Sequence, residues 1–526
     1  MFYKPSSGGM WDPTLLYFKS KYYMLSMYMN PRDKKWNGMW AAESEDGVHF
    51  KDIGCVLSGD IGVCKMFAYI CGDNDKCIIN HGSFSGRPET DNDTLCFYES
   101  SDMEHWEYMY ENHPDSRWYN PAGRWDHMYV IPKDNACPEK GYWGYVVATP
   151  HKEFEAPFGM MESPDGYHWS ILPPPVIEWG GMPKVGIFEV GGCEKIGDSY
   201  YFIGGVGGYA KNCGYSMYTF VSDSPTGPFR PDREAFRLCG FDRLPGRIFV
   251  QNLAAFCRGK DGELLISNAF DAGFPEKIWL LPNRKAVVDE NKHLRLGYWE
   301  QNELAKGREL ELNMNELQPV YMEDRSAGEG GNPDGMNPPQ RKVETANSVY
   351  IATSGTKKGF QLEDIHALAL LNKLLDFDKG VIFEGTIKAG KNPPDKNTAP
   401  WPACWRSSTV GFYIEHEDKR SGTAITLEVD HPYQRKSFIE ILTVDKKLKR
   451  EILDVTGEGC ATVAGIAPDI KHTFKLFIRQ GMFELYIDNM LVQSFTIMSS
   501  SSGHIGFALQ NSECCFENLK LFEMNF

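Results

Sequence analysis

Short apolar or alternating runs, each closed by Gly, Asp, Asn or Ser, fill the chain to about residue 305, and that pattern predicts strands and turns rather than helices. Leu15-Leu16-Tyr17-Phe18, Tyr22-Tyr23-Met24-Leu25, Cys77-Ile78-Ile79-Asn80, Tyr142 to Ala148 and Tyr200-Tyr201-Phe202-Ile203 are such runs. Gly262 to Ser267 continues the series. The pattern weakens around Glu303-Leu304-Ala305-Lys306, and Ala327 to Gln340 has the Gly/Pro/Asn composition of a loop. A short helix is predicted over Glu363 to Leu375. Strand signals then return at Val381 to Ile387, Val410 to Glu415, Ile425 to Val429, Phe438 to Thr443, Phe474 to Arg479, Phe483 to Ile487, Leu491 to Ile497 and Ile505 to Leu509. Asp488-Asn489 between two of these runs reads as a tight hairpin. Such a series of short strands predicts a β-sandwich.

One turn pattern recurs in the first part. It reads Ser44-Glu45-Asp46-Gly47-Val48-His49-Phe50, Ser101-Asp102-Met103-Glu104-His105-Trp106, Ser163-Pro164-Asp165-Gly166-Tyr167-His168-Trp169 and Ser222-Asp223-Ser224-Pro225-Thr226-Gly227-Pro228-Phe229. The intervals from Ser44 through Ser101 and Ser163 to Ser222 are 57, 62 and 59 residues. Each copy follows a strand-like run and places turn residues before an aromatic expected to be buried. A fixed period of this length signals stacked units such as propeller blades, each a four-stranded antiparallel sheet. Five units of about 60 residues fill the first ~300. The predicted fold is all-β: a five-bladed β-propeller over 1–305, a linker or loop region over 306–344, and a C-terminal β-sandwich over 345–526.

At 526 residues the chain exceeds one core, and 42% hydrophobic content supports two. The net charge of −16 argues against nucleic acid and anionic membranes as partners. No apolar run reaches membrane-spanning length. The start, Met1-Phe2-Tyr3-Lys4-Pro5, lacks a signal-peptide pattern, and the 14 cysteines form no C-x-x-C pair. A cytoplasmic protein with reduced thiols, no metal and no cofactor is the expectation.

A propeller gathers residues from distant blades around one funnel, so function rests on the carboxylates placed there. Three segments carry candidates. Trp11-Asp12-Pro13-Thr14 puts a carboxylate ahead of the first inner strand, with a proline to stiffen it. Gly123-Arg124-Trp125-Asp126-His127 brings an arginine, suited to sugar hydroxyls, beside a carboxylate suited to a developing cation. Ile187-Phe188-Glu189-Val190 sets a glutamate in an apolar stretch, which raises a carboxyl pKa as a general acid needs. Glu194 competes for that role, but Lys195 and the turn after it mark it as the more exposed. Taken singly, Asp12 also fits a turn cap, and Arg124–Asp126 a surface ion pair. Together, one carboxylate from each of three blades is a glycosidase constellation.

On these motifs the sequence resembles glycoside hydrolase family 32, the β-fructofuranosidases, inulinases and levanases. Trp11-Asp12-Pro13 is similar to the family's nucleophile motif. Met29-Asn30-Pro31, Trp36 to Trp40 and Ser44 to Phe50 resemble its next conserved run, and Ser83-Phe84-Ser85-Gly86 resembles its Phe-Ser-Gly-Ser. Arg124-Trp125-Asp126 stands where the family has Arg-Asp-Pro, and Glu189-Val190 where it has Glu-Cys. The spacings of 114 residues from Asp12 to Asp126 and 63 from Asp126 to Glu189 match the order nucleophile, transition-state stabiliser, acid/base. Asp12 lacks the family's flanking Asn and Asn-Gly, and His127 replaces its proline.

The resemblance implies a five-bladed propeller joined to a β-sandwich. It also implies a retaining exo-glycosidase for fructofuranosyl linkages in small fructose-containing saccharides. Asp12 would be the nucleophile, Asp126 the transition-state stabiliser and Glu189 the acid/base. Trp11, Trp40, Phe84, Ser85, Arg124 and Trp125 would bind substrate. The expected partner is a small saccharide, and a homo-oligomer in which the sandwich rims a neighbour's pocket is compatible with the chain. Three alternatives stay open: an inverting, family 43-like arabinofuranosidase or xylosidase, a fructotransferase, and a non-catalytic carbohydrate-binding protein.

Overall fold

In the computed structural model the described residues are all except 1, 59–61, 72–74, 85–93, 134–139, 188, 207–215, 239–250, 274–275, 323–339, 354–365, 392–407, 430–435, 446–447, 457–459, 463–464 and 498–500. They form two compact units, Met1–Asn302 and Glu303–Phe526. Both are built of antiparallel strands, and the helical segments described are short 3-10 turns.

In the first unit four separate sheets follow one another, each of four strands in simple up-and-down order. The first holds β1 (Gly9–Phe18), β2 (Lys21–Met29), β3 (Trp36–Ser44) and β4 (Lys51–Ser58). The second holds β5 (Gly62–Cys71), β6 (Lys76–Phe84), β7 (Leu95–Ser100) and β8 (Glu107–Asn112). The third holds β9 (Trp125–Pro132), β10 (Tyr142–Ala148), β11 (Gly159–Ser163) and β12 (Ser170–Leu172). The fourth holds β13 (Glu189–Ile196), β14 (Ser199–Val206), β15 (Ser216–Ser222) and β16 (Arg230–Pro231). After them come β17 (Gln251–Arg258), β18 (Leu264–Asp271), β19 (Ile278–Leu280), β20 (Arg284–Val288) and β21 (Leu294–Tyr298), with β17, β18, β20 and β21 paired in that order.

Burial falls from the first strand of a sheet to the last. β1 and β2 are almost wholly buried, whereas β4 is exposed or half-buried along its length. This is why the first strands read as continuous apolar runs and the outer ones as polar. The sheets are held by apolar faces packed on their neighbours. Leu25, Met27, Met39 and Ala41 of the first pack with Met66, Cys77 and Ile79 of the second. Phe97 and Ile78 of the second pack with Met128, Val146 and Met161 of the third. The Phe158 and Phe202 rings stack 4.0 Å apart between the third and fourth. First strands touch in ring order: β1 with β5, β5 with β9, β9 with β13, β13 with β17, and β17 with β1.

The repeated turn joins the third strand of a sheet to the fourth. Ser44 Oγ accepts from Gly47 N, and Asp46 Oδ1 accepts from both Val48 N and His49 N at 2.8 Å, while Oδ2 meets His49 Nδ1. The same bonds recur at Asp102 and Asp165. In the second copy the anchoring serine is Ser100, not the expected Ser101, because only Ser100 Oγ reaches Met103 N. The aromatics after the turns are half-buried except Phe229, which is fully buried.

In the second unit two antiparallel sheets face each other. Phe383 on Val381–Lys391, Phe474 on Lys471–Arg479 and Phe516 on Ser512–Met524 lie in one sheet. They meet Phe412 on Thr409–Glu415 and Phe507 on Ile505–Gln510 in the other, with ring centres 4.1 to 6.2 Å apart. The layering is that of a β-sandwich. Asp488 and Asn489 both have positive φ, as a two-residue hairpin turn requires, and join Met482–Ile487 to Met490–Thr496.

Two expectations change. The helix over Glu363 to Leu375 is absent where described: His366–Leu370 is a buried strand between Gln318–Met322 and Ile505–Gln510. Sheet pairing on both sides overrides the helix propensity of its Ala and Leu residues. The loop region 306–344 also contains strands, Lys306–Leu310, Gln318–Met322 and the start of Gln340–Thr345. They enter sheets of the second unit, and residues 323–339 lie outside the described residues.

Candidate active site

Every first strand of the first unit carries an irregularity against its second strand at its N-terminal end. Pairing jumps from Trp11 to Thr14 in β1, so Asp12 and Pro13 face only Ser26. It jumps from Val63 to Met66 in β5, so Cys64 and Lys65 face Gly82. Asp126 and His127 of β9 face Val147, and Leu253 and Ala254 of β17 face Asn268. In β13 Gly191 is the extra residue, two positions after Glu189. A bulge turns a side chain out of the normal alternation. Asp12 has φ 49°, a left-handed conformation its short polar side chain tolerates.

These bulges bring Asp12, Asp126 and Glu189 into one electrostatic cluster with Arg124, His127 and Lys65. Arg124 and Asp126 lie two residues apart and therefore on one face of the chain. Arg124 Nη2 donates to Asp126 Oδ2 at 2.6 Å and reaches Glu189 Oε1 at 3.4 Å. Asp126 Oδ1 also accepts from His127 N at 2.7 Å. Burial disfavours charge on Asp126, but Arg124, His127 and these hydrogen bonds outweigh it and hold the carboxyl well below the usual range. Glu189 moves the other way. Burial raises its pKa, the charges of Asp12 and Asp126 add to that, and Arg124 and His127 oppose it. The Glu189 side chain is 21% exposed, yet its Oε2 is inaccessible and has no hydrogen-bond partner among the described residues. His127 Nε2 lies 3.6 Å from that oxygen and 3.4 Å from Val190 N, and its Nδ1 lies 3.4 Å from Asp126 Oδ1. Two carboxyls in one cluster thus have their pKa values pushed apart, which divides acid from anion.

Gly82 makes room for this arrangement. A Cβ there would sit 2.1 Å from Asp126 Oδ1.

Glu194 is not the exposed residue the sequence implies. It is 1% exposed and fixed, accepting from Tyr129 Oη at 2.7 Å and from Arg258 Nη2 at 2.5 Å. Burial raises its pKa against the pull of Arg258 and Tyr129. Its oxygens are spent on a strut between β9, β13 and β17. The expected aromatic walls are distributed differently as well. Trp125 is 0% exposed, packs 5.0 Å from Tyr119 and donates to Asn112 Oδ1, because it points opposite to Arg124 and Asp126. Trp40 is buried against Tyr28 and donates to Tyr3 Oη. Trp11 is half-buried against the core between the first two sheets. Phe84 ends β6, its side chain lies outside the described residues, and so does Ser85. Sequence reasoning missed Lys65. The signal was its phase: Asp12, Lys65, Asp126 and Glu189 follow one another at 53, 61 and 63 residues, the blade period.

No protein-family model matches the chain, and no curated protein matches it. Solved structures do match over nearly its whole length. A glycoside hydrolase family 32 β-fructofuranosidase from Bombyx mori is 12% identical, with 99% of this chain and 92% of that one aligned and a TM-score of 0.60. Sucrose-6-phosphate hydrolase from Lactobacillus gasseri is 11% identical over 99% and 92%, with a TM-score of 0.63. Exo-inulinase from Aspergillus awamori is 12% identical over 100% and 97%, with a TM-score of 0.58. The fold is the one these glycoside hydrolases share.

Proposed function

We propose that the protein is a retaining exo-glycosidase that hydrolyses fructofuranosyl linkages in small fructose-containing saccharides, on a propeller whose fifth blade is β17, β18, β20 and β21. The observation that carries this reading is the convergence of Asp12, Asp126 and Glu189 from bulges or strand ends in three blades, with the Glu189 pKa raised and the Asp126 pKa lowered. The shared fold of the fructoside-hydrolysing structures supports it.

In this reading the Asp12 carboxylate attacks the anomeric carbon as the bond to the leaving oxygen breaks. Glu189 gives its proton to that oxygen, so the aglycone leaves as a neutral alcohol. Asp126, kept anionic by Arg124 and His127, faces the positive charge that grows on the sugar ring. Water then attacks the fructosyl ester of Asp12, the Glu189 carboxylate takes a proton from that water, and the Asp12 carboxylate is released. The altered flanks of Asp12 go with a preference for small fructosides other than sucrose.

The test is turnover on a panel of fructosides, arabinofuranosides and xylosides with the anomer of the first-formed product identified. Fructose released with retained configuration is expected. Release of arabinose or xylose without fructose, or inversion, would move the protein to the family 43-like reading.

A further inference from the structure

Lys65 has no part in the chemistry above, yet it is a charged group buried in the first unit. Its residue is 2% exposed, and its Nζ has no hydrogen-bond partner among the described residues. Three N–H donors and a full charge are thus held out of water, an arrangement that is unfavourable unless acceptors are supplied. The Phe67 ring lies against it, its centre 4.6 Å away. The ammonium feels the charges of Asp12, Glu189 and Asp126, and among the three carboxyls its strongest coupling is to Asp12.

We propose that Lys65 is a substrate-contacting residue that donates to a hydroxyl of the uncharged sugar held in front of Asp12. This rests on the glycosidase reading. Lys65 sits on the bulge of β5, in the place equivalent to Asp12 on β1 and Asp126 on β9. Charge decides that the sugar is neutral. The carboxyls of Asp12, Asp126 and Glu189 are matched by no more than three cationic groups, Lys65, Arg124 and His127, so the cluster holds no surplus of positive charge for an anionic ring. Burial lowers the Lys65 pKa to about 8 against the pull of Asp12, Glu189 and Asp126. Among the described residues His81 on β6, Arg124, and His127 on β9 couple to the same carboxyls. Loss of the Lys65 proton as pH rises therefore removes a donor within a measurable range.

The experiment compares wild type with Lys65→Met and Lys65→Gln on whichever fructoside or pentoside wild type cleaves best, with product-sugar inhibition and full pH profiles. Lys65→Met is expected to fold at least as stably, since it removes a dry charge. It should raise KM and the inhibition constant of the free sugar about 10- to 100-fold with a smaller change in kcat. The wild-type fall of log(kcat/KM) above pH about 8 should be steeper by one unit of slope than in Lys65→Met, because Glu189 alone titrates in the variant. Lys65→Gln should recover part of the lost affinity. Unchanged KM with a lowered kcat would make Lys65 a residue acting through Asp12 and overturn the contact. So would a wild-type preference for a 6-phosphorylated fructoside that Lys65→Met abolishes. Cleavage by wild type with identical constants in both variants refutes Lys65 alone, whereas no binding or cleavage of any sugar by wild type refutes the glycosidase reading and this proposal with it.

Discussion

The outer turns and the inner bulges of the first unit occupy equivalent places in successive sheets, but they behave oppositely. The outer turns repeat their chemistry. Asp46, Asp102 and Asp165 each bind two backbone N–H groups and a histidine ring in the same way. The inner bulges repeat only their geometry, and their residues differ: Asp12-Pro13, Cys64-Lys65, Asp126-His127 and Leu253-Ala254. A turn solves the same backbone problem each time, so the same residues recur. A funnel needs a different group from each side, so there the shape recurs and the residues diverge. In this chain the visible repeat marks the scaffold, and the candidate site lies half a unit away from it.

The largest expected effect breaks the inner set. Asp12→Asn should abolish turnover on every substrate, because the proposed retaining route then has no nucleophile to form its covalent intermediate. Glu189→Gln should cost about 10²- to 10⁴-fold in kcat on substrates with poor leaving groups and far less on activated aryl glycosides. Glu194→Gln, five residues along the same strand, should keep most of that activity and instead lose stability, because Arg258 and Tyr129 lose a charged partner. Steady-state kinetics beside denaturant unfolding separate the two. Equal activity of Glu189→Gln and wild type, with loss in Glu194→Gln, would reverse their roles.

A smaller effect is expected from geometry alone. Gly82→Ala drives a methyl into Asp126 Oδ1 and should displace that carboxylate without removing any reacting group. A shift of about 1 Å costs on the order of 10²-fold in rate. Activity within twofold of wild type would mean that Asp126 is not held where the chemistry needs it.

The smallest effect belongs to the outer set. Asp165→Ala should leave kcat unchanged and cost about 1 kcal/mol of stability, read from the denaturant midpoint at neutral pH. Burial raises the Asp165 pKa, but hydrogen bonds from His168, its backbone N–H, Tyr167 N and Ser163 outweigh that and bring it to about 2. A carboxyl depressed on folding adds stability that is present above its unfolded pKa of about 4 and is lost as pH falls toward 2. The stability difference between wild type and Asp165→Ala should therefore shrink between pH 4 and 2. A change in kcat would break the separation of turn from site.

Much of this architecture could be read from the chain because it depends on local rules. Apolar runs closed by Gly, Asp and Ser gave the strands, the Ser-x-Asp turns gave the period, and Asp488-Asn489 gave a hairpin that both positive φ values bear out. The segments holding Asp12, Arg124, Asp126 and Glu189 could be found because carboxylates ahead of apolar strands stand out. Other features depended on contacts between residues far apart in sequence. His366–Leu370 is a strand because two distant strands pair with it. Trp125 faces the core and Asp126 the cluster because the bulge opposite Val147 sets the direction of each side chain. Glu194 reads as exposed beside Lys195, but is buried because Arg258, 64 residues on, closes over it. Lys65 gave no local signal at all, since a lysine in an apolar stretch looks like any surface cation. Sequence fixes which backbone conformations are cheap, and so the elements and their period. Only closure of the strand ring decides which side chains share one low-dielectric space, and there a few ångströms set both charge state and role.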